Sequence, residues 1–295
     1  MSSPTRPDSA KPLCAETSRA HAESLHATAS RVDTWILIEY RGLWAHDAVD
    51  GSTLSGALKA HLVAERVRLP HARILFVRRS ERRSGDGLLA FFARSTPSER
   101  ELRCVELERH DDLVGLDLAT AGRSVDHPLF LVCTHGKHDP CCVRYGRPLY
   151  EALRDELEPD WVWQVSHIGG DRFAGNLVCL PEGLYYGRVD RETAGSVLDE
   201  HLARRIHMAS YRGRSIYSFA VQAAERALRE QTGLVGIDDL VLRRVERANG
   251  STRVTFAVDG ETHEVRVDRV PGDLTRLTCS SESLERPPRF VVSPA

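Results

Sequence analysis

The sequence predicts an α/β (α+β) fold, and three observations predict it. Residues 35–107 read as strand, helix and three strands. Residues 129–206 read as strand, helix, three strands and a closing helix. Beyond residue 210 an amphipathic helix precedes two alternating strands joined by Asp259-Gly260. The chain has 295 residues. A single core stops growing near ~250–300 residues, so two or more domains are expected.

The elements follow in order. Residues 1–30 are polar, rich in Ser, Ala and His, and read as a flexible or loosely docked tail. Trp35–Ile38 is a short buried-strand run, and Leu54, Leu58, Leu62 and Val63 recur at helical spacing until Pro70. Arg73–Arg78, Gly87–Ala93 and Leu102–Leu107 read as three more strands, so residues 31–126 form an N-terminal α/β domain. The arginines Arg78, Arg79, Arg82 and Arg83, interrupted by Glu81, read as a solvated loop.

The second unit spans residues 127–210. Leu129–Val132 is a strand, and a helix follows with Pro148 in its first turn and Leu149, Leu153 and Leu157 on one face. Trp161–Val165 alternates as a strand. Leu177–Leu180 and Leu184–Val189 form a hairpin across Pro181-Glu182-Gly183, and Ala194, Leu198, Leu202 and Ile206 mark the closing helix. Residues 211–295 form a small C-terminal helix-plus-hairpin segment. Ile216, Ala220, Ala223 and Ala227 make its helical stripe, Gly233 stops the helix, and Val254–Val258 and Val265–Val267 flank the Asp-Gly turn. No repeat at a fixed period is visible.

Composition narrows the function. Lys plus Arg number 40 and Asp plus Glu 42, a balance that argues against a whole-chain nucleic-acid or membrane partner. The first thirty residues lack an apolar h-region, and no apolar run approaches the ~20 residues of a membrane span. The expected compartment is the cytoplasm. Seven cysteines are a poor disulfide framework in a reducing compartment. Cys14, Cys104, Cys179 and Cys279 are scattered, and Cys104, Cys179 and Cys279 read as buried apolar residues, whereas Cys133, Cys141 and Cys142 cluster.

That cluster carries the chemistry. Cys133-Thr134-His135-Gly136-Lys137-His138-Asp139-Pro140-Cys141-Cys142 leaves a strand at its C-terminal end and enters a helix, where open α/β folds bind ligands. Eight residues separate Cys133 from Cys142. A second loop, Ser166-His167-Ile168-Gly169-Gly170-Asp171, also follows a strand, and its glycines leave room for a bulky group at the backbone. Cys133, Cys142, His167 and Asp171 thus offer two thiolates, an imidazole and a carboxylate, with Cys141, His135 and His138 in reserve. Soft thiolates suit an iron–sulfur cluster or zinc. Histidine can replace cysteine on one iron of a [2Fe–2S] cluster and raises its potential. Zinc held by Cys133, Cys142 and His167, or by Cys133, His135 and Cys141, fits the residue types nearly as well. Cys141 reads as a packed helix-start residue before it reads as a ligand.

Leu131–Lys137, Asp139–Cys142, Ser166–Gly170, Arg172-Phe173-Ala174, Asn176 and Leu184–Arg188 together resemble the sucrase/ferredoxin-like family. The specific likeness covers residues 127–190, with weaker similarity at 35–40 and 215–233. It implies a thioredoxin-like ferredoxin domain and, from fungal relatives, a [2Fe–2S] cluster held by two Cys and two His. The Cys pair falls on Cys133 and Cys142, the first His on His167, and the second on Asp171, which departs from the pattern. A carboxylate there would bind iron through a harder oxygen and labilise the cluster; Cys141, His135 or His138 could replace it, or the cluster could be lost. The expected function is non-enzymatic electron transfer with an unknown redox partner protein. The alternatives are a thiol-redox protein, which lacks the usual C-x-x-C spacing, and a zinc-stabilised binding module. No carboxylate pair supports a glycosidase.

Overall fold

The computed structural model describes residues 11–80, 87–248 and 250–294. Arg82, Arg83 and Glu81 of the basic run lie outside the described residues. The first half of the chain runs β1 (Thr34–Glu39), α2 (Gly56–Arg68), β2 (Ala72–Arg78), β3 (Leu88–Ser95), β4 (Arg100–Leu107) and β5 (Arg123–Ser124), preceded by a short helix α1 (Cys14–Ala20). The next part runs β6 (Leu129–Cys133), α3 (Pro140–Glu156), β7 (Val162–Val165), β8 (Leu177–Leu180), β9 (Leu184–Tyr186), α4 (Arg191–Leu202) and β10 (Tyr211–Arg214). The last part is α5 (Phe219–Thr232), β11 (Val241–Ala248), β12 (Ser251–Val258), β13 (Glu261–Pro271) and β14 (Pro288–Pro294). Among the described residues, no helix is long and apolar enough to cross a membrane.

Strands β1 to β10 form a single ten-stranded sheet in the order β10-β9-β8-β6-β7-β2-β1-β3-β4-β5. Two units inside it share one plan. β1 pairs parallel with β2 through the α2 crossover and antiparallel with β3, which pairs with β4. β6 likewise pairs parallel with β7 through α3 and antiparallel with β8, which pairs with β9. They meet edge to edge where β2 pairs antiparallel with β7 at Val77–Val165 and Arg78–Gln164. This structural repeat has no counterpart at a fixed sequence period, because strand order repeats while side chains do not.

The sheet curls so that its inner face closes on itself. The Trp35 ring lies 6.1 Å from Tyr185, Phe91 meets Trp163 edge-on at 5.2 Å, and Ser95 Oγ donates to the Pro181 carbonyl at 2.7 Å. Trp35, Leu37, Leu75, Val77, Leu131, Cys133 and Val165 fill this inner core. Alternate residues face outward: Ile36, Ile38 and Phe76 pack on Leu58 and Leu62 of α2, and Phe130 and Val132 pack on Leu149 and Leu153 of α3. Burial on both faces explains why β1 and β6 read as continuous apolar runs rather than alternating ones.

Four expectations change. Residues 13–29 are not a loose tail: Cys14, Ala15, Ser18 and Ala29 are fully buried, and Arg188 holds the Ser18 and Glu23 carbonyls. Helix α3 starts at Pro140 rather than Pro148, because Asp139 caps it by accepting the Cys141 N–H at 2.8 Å. The C-terminal hairpin is the centre of a four-stranded sheet, since β11 and β14 add outer strands. The mostly exposed β11 has no apolar alternation, and β14 is bounded by prolines, so neither carries a strand signal. Arg78 and Arg79 are not simply solvated; they stack on Trp44 at 4.1 Å and Trp163 at 4.7 Å.

Candidate metal centre

Two strand tips create the site. β6 ends at Cys133, and its loop returns through Asp139 to bring Cys142 into the first turn of α3. β7 ends at Val165, and the loop after it carries His167 and Asp171. Helix α3 lies so close to β6 that a Cβ on Gly146 would stand 1.9 Å from the Cys133 carbonyl oxygen. Only glycine permits that approach, and the approach sets the sulfur of Cys142 beside that of Cys133. Gly146→Ala is expected to lift α3 off β6, costing about 1–3 kcal/mol of stability and lowering metal retention. Thermal melts and metal content would check it, and wild-type values for both would refute it.

The donor atoms of Cys133, Cys142 and His167 lie within 4.8 Å of one another. The Cys142 thiol donates to Asp171 Oδ1 at 3.2 Å, and His167 Nδ1 lies 2.9 Å from the same oxygen. That contact has ion-pair distance, and the nitrogen is shut away from solvent. Cys133 and Cys142 are each 1% exposed and Asp171 is 2% exposed, while the His167 side chain keeps 22%.

Without metal the four groups share protons unevenly. The hydrogen bond from the Cys142 thiol, against the cost of burial and with the help of His167, holds Cys133 well below the ordinary thiol range. The same bond to Cys133, together with burial, pushes Cys142 well above it. Burial disfavours the charged His167 ring, yet Asp171 and Cys133 raise it to about 9. Burial also opposes ionised Asp171, and His167 outweighs that and lowers it. A metal bound here would expel protons from Cys142 and His167.

The reserve residues separate. His135 accepts the His167 backbone N–H through Nδ1 at 3.2 Å and gives Nε2–H to the Ala45 carbonyl at 2.7 Å. Both nitrogens are used, and the ring is a strut between the two units. His138 stacks on His167 with centroids 3.7 Å apart and points Nε2 toward Asp171 Oδ2 at 3.9 Å. Cys141 faces away from Cys142, toward Cys14 and Cys279, as a helical step of ~100° requires. Arg172, next in sequence to Asp171, pairs with Glu23 at 2.7 Å.

Two arginines went unremarked in the sequence, and both hold the second loop by its carbonyls. Arg73 donates to His167 O at 2.8 Å and Ile168 O at 2.9 Å. Arg212, 1% exposed, donates to Gly169 O at 3.0 Å, Asn176 Oδ1 at 2.8 Å and Thr28 O at 2.7 Å. A Cβ on Gly170, which sits at φ +83, would strike its guanidinium at 2.4 Å. No local motif announces either arginine, since each acts on a loop distant in sequence.

The model of the Sucrase/ferredoxin-like family matches residues 25–213, well over half of the chain. The chain belongs to the sucrase/ferredoxin-like family. Altered inheritance of mitochondria protein 32 of Eremothecium gossypii is 31% identical over 106 residues, covering 31% of this chain and 34% of that protein. The protein of the same name from Debaryomyces hansenii is 31% identical over 87 residues, covering 26% and 32%. The match thus spans about a third of the length of these curated relatives. Among solved structures, the thioredoxin-like [2Fe-2S] ferredoxin from Aquifex aeolicus is similar with TM-score 0.28 and 16% identity, over 30% of this chain and 94% of that one. The fold of this sucrase/ferredoxin-like chain is mixed α/β, with a β-α-β-β-β-α unit from β6 to α4. The cytoplasmic expectation is corrected by the relatives, whose names refer to mitochondria. The missing apolar leader was its basis and does not decide a compartment.

Proposed function

We propose that this chain is an electron carrier holding a [2Fe–2S] cluster between Cys133 and Cys142 on one loop and His167 and Asp171 on the other. One observation carries the reading: two buried sulfurs and the His167 imidazole converge from two strand tips, with the Asp171 carboxylate 3.2 Å from Cys142 Sγ and 2.9 Å from His167 Nδ1. Soft thiolates with an imidazole suit iron–sulfur chemistry, which supplies reversible one-electron exchange when the group is bound. The chain's own part is to fix the donors and exclude water. Arg73 and Arg212 hold the His167 loop by its carbonyls, and Gly146 sets the sulfur pair.

His167 is the donor with an exposed edge. It opens on a cleft of about 340 Å³ shared with His46, His138 and Arg73. A redox partner protein would approach there, within reach of the stacked imidazoles. A mitochondrial setting, suggested by the names of the fungal relatives, accords with this role. Protein purified anaerobically is expected to show visible charge-transfer absorption that bleaches with dithionite, with matching iron and acid-labile sulfide. A colourless protein lacking both, even after reconstitution, would overturn the proposal.

A further inference from the structure

The first turn of α3 also serves a second group of thiols. Cys141 Sγ lies 3.6 Å from Cys14 Sγ and 3.4 Å from Cys279 Sγ, and Cys279 Sγ lies 3.5 Å from Cys14 Sγ. These residues come from α1, α3 and the connection between β13 and β14, so three segments distant in sequence meet at one point. Asp139, 1% exposed, stands over the triangle with Oδ2 3.8 Å from Cys14 Sγ. Its oxygens also accept the Cys141 N–H at 2.8 Å and the Cys279 N–H at 2.6 Å, which fixes the carboxylate. The Cys14 N–H points at Cys279 Sγ from 3.3 Å.

We propose that Cys14, Cys141 and Cys279 bind a structural zinc ion, with Asp139 as the fourth donor. Three near-equal edges describe a face around one centre rather than a bonded pair and a bystander. A tetrahedral ion with Zn–S bonds of ~2.3 Å sets its sulfurs ~3.8 Å apart, close to the edges observed. A carboxylate as fourth donor favours zinc over softer copper(I). Cys14 and Cys141 are fully buried and Cys279 is half-buried, so the site is closed and has no open position for a substrate. Binding replaces the thiol protons, which leave to solvent. The ion pins α1 and the β13–β14 connection to the turn that also carries Cys142. It is nonetheless a separate centre, since Cys141 and Cys142 point about 100° apart around α3.

The test uses the full chain carrying Cys133→Ser and Cys142→Ser, so that the first site cannot contribute. Such protein is expected to retain about one equivalent of zinc by elemental analysis. Adding Cys279→Ser or Cys14→Ser should lower retained zinc at least ~10-fold. Cobalt(II) added to metal-free protein should give the intense absorption of a tetrahedral thiolate site, lost in the Cys279→Ser form. Cys279 lies on a surface connection, so that form is expected to keep wild-type circular dichroism. Zinc unchanged by Cys279→Ser, copper in place of zinc, a disulfide mass in freshly purified protein, or no cobalt absorption would each overturn the site. Zinc and cobalt are read here and iron is not, so this result is independent of the cluster.

Discussion

Cys133→Ala is expected to strip the protein of iron and sulfide, and Cys142→Ala to do the same, while Asp171→Ala leaves a measurable fraction behind. Losing an outer-shell partner costs ~10–100-fold in metal affinity, and losing a direct thiolate exceeds that. Cys133 is 1% exposed at the end of β6, so no water-borne ligand can take its place. His167→Ala should fall close to the cysteine variants, because the alternative imidazole of His135 is tied by both nitrogens. Asp171 differs. Its oxygen is a harder and weaker donor to iron, and His138 Nε2 stands 3.9 Å from it, ready to substitute. Asp171→His, which restores the imidazole of the fungal pattern, should slow cluster loss relative to wild type. Iron and sulfide assays on anaerobically purified variants would check the series, with circular dichroism as the control for folding. Equal metal retention in Cys133→Ala, His167→Ala and Asp171→Ala would refute the donor set.

The loops were legible in the sequence because ligand chemistry concentrates in short motifs. Cys133 through Cys142 and His167 through Asp171 each lie on one continuous stretch, and strand-end positions follow from the apolar runs before them. What supports those loops was not legible. Arg73 and Arg212 act through backbone carbonyls 94 and 43 positions away, and a lone arginine in a strand gives no local signal. The thiol triangle was hidden for the same reason: Cys14, Cys141 and Cys279 are separated by 127 and 138 positions. Cys141 and Cys279 read singly as packed residues, and Cys14 falls in a segment that reads as a loose tail. The shared plan of the two units was equally silent, since β1 ends at Glu39 where β6 ends at Cys133.

Arg229→Met is expected to destabilise the protein by about 3–5 kcal/mol, because it leaves a buried carboxylate without its counter-charge. Arg229 and Glu225 have fully buried side chains and pair at 3.1 Å on successive turns of α5. Burial works against the charged guanidinium, but Glu225 holds it above the usual arginine value. The same guanidinium donates to the carbonyls of Gly236 at 2.8 Å and Leu234 at 3.2 Å, closing the chain after the Gly233 cap. With methionine at this position, Glu225 would keep only the Tyr211 hydroxyl, which donates to it at 2.8 Å. The loss corresponds to a fall in Tm of roughly 5–8 °C for a chain of this size. Adding Glu225→Gln should recover at least half of it, since the buried charge goes while the Tyr211 bond stays. A single variant melting within a degree or so of wild type would show that water reaches the pair. Tyr211 and Arg212 are neighbours on β10 and project to opposite faces, one to Glu225 and the other to the Gly169 carbonyl. The strand that anchors α5 is therefore also the brace of the His167 loop, and a loosened α5 should lower metal retention as well as stability.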